Sequence, residues 1–149
     1  MKFGICTSLA NMGIIEEIDY DYIELPVDSV EPEKGRKEFL QLRKRIEQFN
    51  IKPEVFNCFI PAHLKIVGPK VDFITLCKYV RIVLERVAIL GGEIVVFGSG
   101  SAREIPKEFY WEHAIRQLKD FLQMLSEEAQ RNNLLIAIEP LKKRGNKYC

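Results

Sequence analysis

Histidine is scarce, paired cysteines are missing, and neither sign of charge is in excess. The two histidines, His63 and His113, are isolated, and Cys6, Cys58, Cys77 and Cys149 form no CxxC pair. Neither a zinc knuckle nor a disulfide framework is expected, and the thiols read as reduced. Lys plus Arg number 22 against 21 Asp plus Glu, a net charge of +1, so no bulk field draws nucleic acid or an anionic membrane. No apolar run approaches the ~20 residues of a membrane span. Met1-Lys2-Phe3 leads straight into a strand-like segment rather than a signal peptide. A cytoplasmic protein is expected, with no nucleic acid and no membrane among its partners. The glycine-rich turn of a dinucleotide fold is also missing: Cys6-Thr7-Ser8-Leu9-Ala10 follows the first strand-like segment.

What is present is the composition of one folded domain: 149 residues, 47% hydrophobic and 29% charged. Short apolar or β-branched segments bounded by turn residues predict strands over Lys2–Thr7, Tyr22–Leu25, Glu54–Phe59, Glu93–Phe97 and Leu134–Ile138. Helical periodicity fills the gaps. Its clearest stripe is Phe73, Leu76, Cys77, Val80, Val83, Leu84, Val87, Ala88, where Cys77 reads as a small core hydrophobe. A second stripe runs Trp111, Ala114, Ile115, Leu118, Phe121, Leu122, Leu125, Ala129, and a weaker one Phe39, Leu42, Ile46, Phe49. A short first helix is expected within Leu9–Ile18. Asn50, Gly91-Gly92 and Asn132-Asn133 follow the last periodic residues, as left-handed helix caps do.

The resulting β-α-β-α-β-α-β-α-β order implies a parallel α/β sheet. Two closures compete. Five strands suit a doubly wound open sheet, whereas a (β/α)8 barrel takes ~250 residues and would stop here after its fifth strand.

The carboxyl ends of the predicted strands carry Thr7, Glu24, Asn57, Gly98-Ser99 and Glu139, the positions where barrel enzymes hold their chemistry. Leu135, Ala137 and Glu139 alternate onto one face, and Pro140 then ends the strand. A carboxylate closing an apolar run needs solvent, an ion pair or a cation. Phe97-Gly98-Ser99-Gly100-Ser101-Ala102-Arg103 offers backbone amides and a guanidinium to a phosphate or sugar hydroxyl, although a ligand-free tight turn explains the same glycines. His63, in a loop, and His113, beside a helical stripe, are expected to be ordinary side chains rather than ligands. Arg43-Lys44-Arg45 reads as a solvated helix face.

Five segments in register with the five strands carry a resemblance. Gly4-Ile5-Cys6-Thr7-Ser8, Tyr22-Ile23-Glu24-Leu25, Asn57-Cys58-Phe59-Ile60-Pro61 with Leu64-Lys65-Ile66-Val67-Gly68-Pro69, Val95 to Arg103, and Ala137-Ile138-Glu139-Pro140-Leu141 resemble the sugar phosphate isomerase/epimerase family. That family has the xylose isomerase-like TIM barrel and is related to the AP endonucleases. The resemblance favours an incomplete barrel of about five strands and four helices over residues 1–141. It implies a divalent metal (Mn²⁺, Mg²⁺ or Co²⁺) and proton transfer next to the carbonyl of a sugar or sugar phosphate, through an enediolate. It implies further that Glu139 is metal ligand and general base or acid, with Glu24, Asn57, Ser99 and Arg103 lining the substrate pocket.

Three of the four ligands implied by the family, an Asp, a His and a Glu after strands six to eight, have no counterpart in this chain. Such a chain is expected to be inactive alone and not to hold a metal tightly. Its open barrel edges would make it self-associate or seek a complementary carboxyl half. After Leu141 the family pattern gives way to Lys142-Lys143-Arg144-Gly145-Asn146-Lys147-Tyr148-Cys149, read as a basic tail that a frameshift could have produced. An AP endonuclease-like nuclease is the minor alternative. That branch implies zinc-binding histidines after strands two and three, where this chain has Glu24-Leu25-Pro26 and Asn57-Cys58-Phe59.

Overall fold

The computed structural model of the chain describes residues 1–140; the basic tail expected over 142–149 lies outside the described residues. Five strands form one sheet: β1 (Gly4–Cys6), β2 (Tyr22–Pro26), β3 (Pro53–Asn57), β4 (Ile94–Phe97) and β5 (Leu135–Ile138). All four pairings are parallel, and the strand order is the chain order. Consecutive order decides between the two closures. A doubly wound sheet reverses direction at a switch point, whereas a barrel lays each strand beside its predecessor. Among the described residues β1 pairs only with β2 and β5 only with β4, so both edges are open.

The helices pack where their apolar stripes direct them. α2 (Arg36–Ile46) buries Phe39, Leu42 and Ile46, and α3 (Phe73–Ile89) buries Leu76, Val80, Val83, Leu84 and Val87. α3 is capped by Asp72, whose carboxylate accepts from the Thr75 backbone N–H at 3.0 Å and from its hydroxyl at 2.7 Å. Those bonds hold the Asp72 carboxyl below its usual range. Gly91, at φ +86°, follows the far end of α3, and Asn133, at φ +54°, plays the same part after α4 (Trp111–Arg131). The expected cap at Asn50 is not used: α2 ends in right-handed residues by Glu47. The first helix is a 3-10 turn at Leu9–Asn11 running into α1 (Met12–Glu16).

Two further differences have a positional cause. Trp111 is 62% exposed and Phe73 is exposed too. Each is the first residue of its helix, beyond the reach of the sheet that covers the rest of its stripe. Cys77 is only half-buried; the surroundings still penalise its thiolate and raise its pKa.

The register between β2 and β3 contains one irregularity. Ile23 pairs with Pro53, but Glu24 already pairs with Val55, so Glu54 is passed over. The extra residue shifts the alternation by one. Phe56 therefore joins Ile23, Leu25, Val95 and Phe97 on the face buried beneath the helices. Asn57 comes to the opposite, inner face with Cys6, Glu24, Val55, Ile94, Val96, Leu135 and Ala137. Without it, Phe56 would stand on the Glu24 side. Glu54 instead ion-pairs with Lys2 at 2.8 Å.

Candidate active site at the carboxyl ends of the strands

The inner face ends in two polar groups. At β1–β3, Glu24 is the middle residue of its strand and half-buried, which limits its contact with water. Asn57 Nδ2 donates to Glu24 Oε1 at 2.7 Å and to Cys6 Sγ at 3.1 Å. Because a carboxylate only accepts, this contact sets which end of the amide faces Glu24. The structure thus brings two of the expected pocket residues into direct contact and adds Cys6, for which the sequence carried no signal beyond its place at a strand end. These ends hold a Glu–Asn pair, not the histidines of the nuclease alternative.

At β4–β5, Glu139 extends the parallel ladder by donating its N–H to the Phe97 carbonyl at 3.1 Å. Its exposed carboxylate lies across Gly98 so closely that a Cβ there would meet Glu139 Oε2 at 2.4 Å. Gly98 is therefore required for the seating of Glu139. Arg103 reaches back from the loop: its guanidinium donates to the Glu139 carbonyl at 2.6 Å and sits 5.1 Å from the centre of the Phe97 ring. Ser99, expected to line the pocket, is buried, and its hydroxyl accepts from the Ile60 N–H at 2.9 Å. It ties the loop after β4 to the loop after β3.

Both loops turn sharply. Cys58 at φ +52° and Ser99 at φ +45° directly follow the Asn57 and Gly98 positions. Non-glycine residues in the left-handed region are costly and gather where side chains must be held at set angles. The loops are fastened further by Lys65 Nζ donating to the Ser101 carbonyl at 2.7 Å and by a two-way amide pair. In that pair the Gly68 N–H donates to Gln117 Oε1 at 2.7 Å, and Gln117 Nε2 donates to the Gly68 carbonyl at 3.1 Å. His63 and His113 are both exposed. His63 Nε2 is 4.0 Å from Glu33 beside a cleft of about 410 Å³ bordered also by Asp28, Cys58 and Tyr79, and His113 packs edge-on to Phe109 and Tyr110.

The sequence matches no family model and no curated protein. The structure does match solved proteins. D-Psicose 3-epimerase from Clostridium cellulolyticum H10 superposes with a TM-score of 0.75 at 14% identity, over 96% of this chain and 53% of that one. The fold is that of a partial xylose isomerase-like TIM barrel. A xylose isomerase domain protein from Planctomyces limnophilus matches with a TM-score of 0.62 at 10% identity, over 93% of this chain and 54% of that one. The IOLI protein, solved with a bound zinc atom, matches at 0.58 and 20%, over 93% and 51%. This chain thus spans about half the length of the structures it matches. Its structural neighbours include sugar epimerases and isomerase-like proteins.

The metal that the fold family implies can be tested against these residues. Glu139 has an arginine, not a second acid or a histidine, against its backbone. Among the described residues, no three of His, Cys, Asp and Glu gather closely enough to hold an ion. One exposed carboxylate is not a divalent site, because all-protein sites collect several ligands from different elements. The described residues do not fit a metal by themselves. No described helix is long and apolar enough to cross a membrane.

Proposed function

We propose that this chain is the amino-terminal part of a metal-dependent sugar, or sugar phosphate, isomerase or epimerase. Such an enzyme transfers a proton next to a carbonyl through an enediolate, and in this proposal the chain alone is inactive. The observation that supports the reading is the seating of Glu139. It is an acid at the end of the inner face of β5, laid over a residue without a side chain and held at its backbone by Arg103. Glu139 is the proton-transferring group and one ligand of a metal whose remaining ligands lie outside this chain. Glu24, Asn57, Ser99 and Arg103 shape the substrate pocket.

The test is a graft of residues 1–139 onto the carboxyl part of a solved D-psicose 3-epimerase. Epimerisation with Mn²⁺ is expected, with a loss of about 10²–10⁴-fold in Glu139→Gln at unchanged folding. Turnover indifferent to that substitution would refute the role. The ungrafted chain is expected to show no turnover and to bind Mn²⁺ more weakly than about 1 mM.

A second reading, a non-catalytic half-barrel that pairs with itself or with a separate carboxyl half, is favoured by the open edges. Leu135 and Ile138 on β5 are exposed, as is Phe3, the residue directly before β1. Light scattering distinguishes the readings: a self-associating module gives a mass above one chain that holds on dilution.

A further inference from the structure

Two surfaces that neither functional reading uses are neighbours in the chain and opposite in charge. The first is the cleft of about 410 Å³ between the loops after β2 and β3. Its half-buried members, Pro32, Pro61, Cys58 and Tyr79, make an apolar floor, and the exposed carboxylates of Asp28 and Glu33 stand at its rim. Asp28 has no ion pair among the described residues, and Glu33 has only His63 at 4.0 Å, a pair that exists only with the imidazole protonated. Burial raises the Tyr79 hydroxyl above its ordinary pKa, and Asp28 and Glu33 raise it further, so their negative field reaches into the cleft. The cleft is also held ready. Buried Arg86 donates to the carbonyls of Val30, Glu31 and Lys34, which fixes the wall that carries the carboxylates, and Tyr79 Oη donates to the Phe59 carbonyl at 2.9 Å. A surface already ordered loses less freedom when it is covered.

The second surface is the outward face of α2. Arg36, Lys37, Leu40, Gln41 and Lys44 fall opposite the buried Phe39, Leu42 and Ile46, and they border a groove of about 420 Å³ with Leu40 exposed in it. Arg43, farther round the helix, is paired with Glu47 at 2.6 Å. Arg36, Lys37 and Lys44 have no ion pair among the described residues.

We infer that the cleft and the α2 face are the two halves of one contact, through which two copies of this chain pair about a two-fold axis. Each half has an apolar centre with charge of one sign around it, and the signs are complementary. An axis near Gly35, which separates the two surfaces in the chain, sets each cleft over the other copy's helix face, so the contact forms twice. The stem of Lys37 or Lys44 covers the apolar floor while its ammonium meets Asp28 or Glu33 beside the Tyr79 ring. A contact this small and polar gives a weak dimer, with a Kd of about 10⁻⁵–10⁻⁴ M. The inference does not depend on the isomerase reading. It also differs from pairing through the open strand edges, which is apolar and which salt does not weaken.

Sedimentation equilibrium of the full chain, from about 10 µM to about 1 mM, tests it. The dimer is expected to weaken at least about tenfold between roughly 0.05 and 0.5 M NaCl. Lys37→Glu with Lys44→Glu reverses the helix face, and Asp28→Lys with Glu33→Lys reverses the cleft; all four side chains are exposed. Each double variant is expected to keep the native circular dichroism and to lose at least about tenfold in self-association. Mixed in equal amounts, the two variants should pair with each other, because each reversed face then meets a reversed cleft. A single-chain mass for the native protein at about 1 mM would overturn the inference. So would an association indifferent to salt and to both reversals, which would place it at the strand edges. Reversed chains that each lose self-association but fail to pair with one another would overturn it too, since the two surfaces would then serve different partners. None of these results touches the grafted enzyme's dependence on Glu139, so failure here and failure of the isomerase reading are separable.

Discussion

Gly98→Ala separates geometry at the site from stability of the fold. The new Cβ would lie 2.4 Å from Glu139 Oε2, with the carboxyl carbon at 3.4 Å and the Glu139 Cβ at 3.8 Å. Ordinary contact is about 3.4 Å or more, so the oxygen must move by about 1 Å while the rest of the residue hardly moves. The atom displaced is the far end of an exposed side chain, and Gly98 is not among the glycines with positive φ. The fold is therefore expected to tolerate the methyl group, and the lost unfolded-state freedom of glycine even favours it by about 0.4–1 kcal/mol. Catalysis is expected to respond differently, because a misplacement of about 1 Å at a reacting group can cost ~10²-fold. Thermal unfolding of the chain and turnover of the grafted enzyme should thus diverge, with Tm level or slightly raised and kcat down by about two orders of magnitude. Unchanged turnover would show that the position of Glu139 over Gly98 has no catalytic meaning. A large fall in Tm would show that Gly98 serves the backbone instead.

Gly92→Ala should behave in the opposite way. Its Cβ meets Val87 Cγ1 at 2.5 Å, Phe56 Cε2 at 2.9 Å and the Val87 carbonyl at 3.0 Å, and overpacking a core costs about 1–3 kcal/mol, read from the urea midpoint. Arg86→Met should destabilise by about 2–3 kcal/mol. The buried guanidinium donates to the Val30 and Lys34 carbonyls at 3.0 and 2.6 Å, bonds that Lys would only partly restore. Asp72→Ala should lower the urea midpoint at neutral pH. The folded-state pKa of Asp72 is depressed by its bonds to Thr75, so its stabilising effect is present above its ordinary value of 3.8 and disappears as the pH falls through the lowered one. The wild-type advantage over Asp72→Ala should therefore close in acid. Ile138→Lys, at the open β5 edge, should move the chain toward monomer in light scattering; an unchanged mass would place any association elsewhere.

The periodic stripes predicted α2, α3 and α4 well, because a helix that buries one face must repeat its apolar residues. Gly91 and Asn133 marked helix ends for the same local reason. The irregularity at Glu54 was not legible, since an extra residue in a strand leaves no trace in composition and only the pairing with Glu24 reveals it. Trp111 misled the reading because periodicity cannot say where a helix emerges from the sheet. At the candidate site, Glu24, expected at a strand end, stands in the middle of β2 because that strand runs on through Pro26, whereas Asn57 was legible as the end of β3 and Glu139 as the residue that follows β5. Their partners were not: Cys6 against Asn57, Gly98 beneath Glu139 and Ser99 against Ile60 join residues that are distant in sequence. The 3-10 turn at Val27–Val30, by contrast, carries turn-prone residues in Asp28 and Ser29 and follows Pro26.

Because every strand lies beside the one made just before it, each new β/α unit finds its docking surface already assembled as the polypeptide emerges from the ribosome. Growth of this kind requires little long-range search and keeps contact order low for a parallel sheet. Among the described residues the outer edges of β1 and β5 both await a neighbour, so the interval before they are covered is when the growing sheet is most open to wrong pairing.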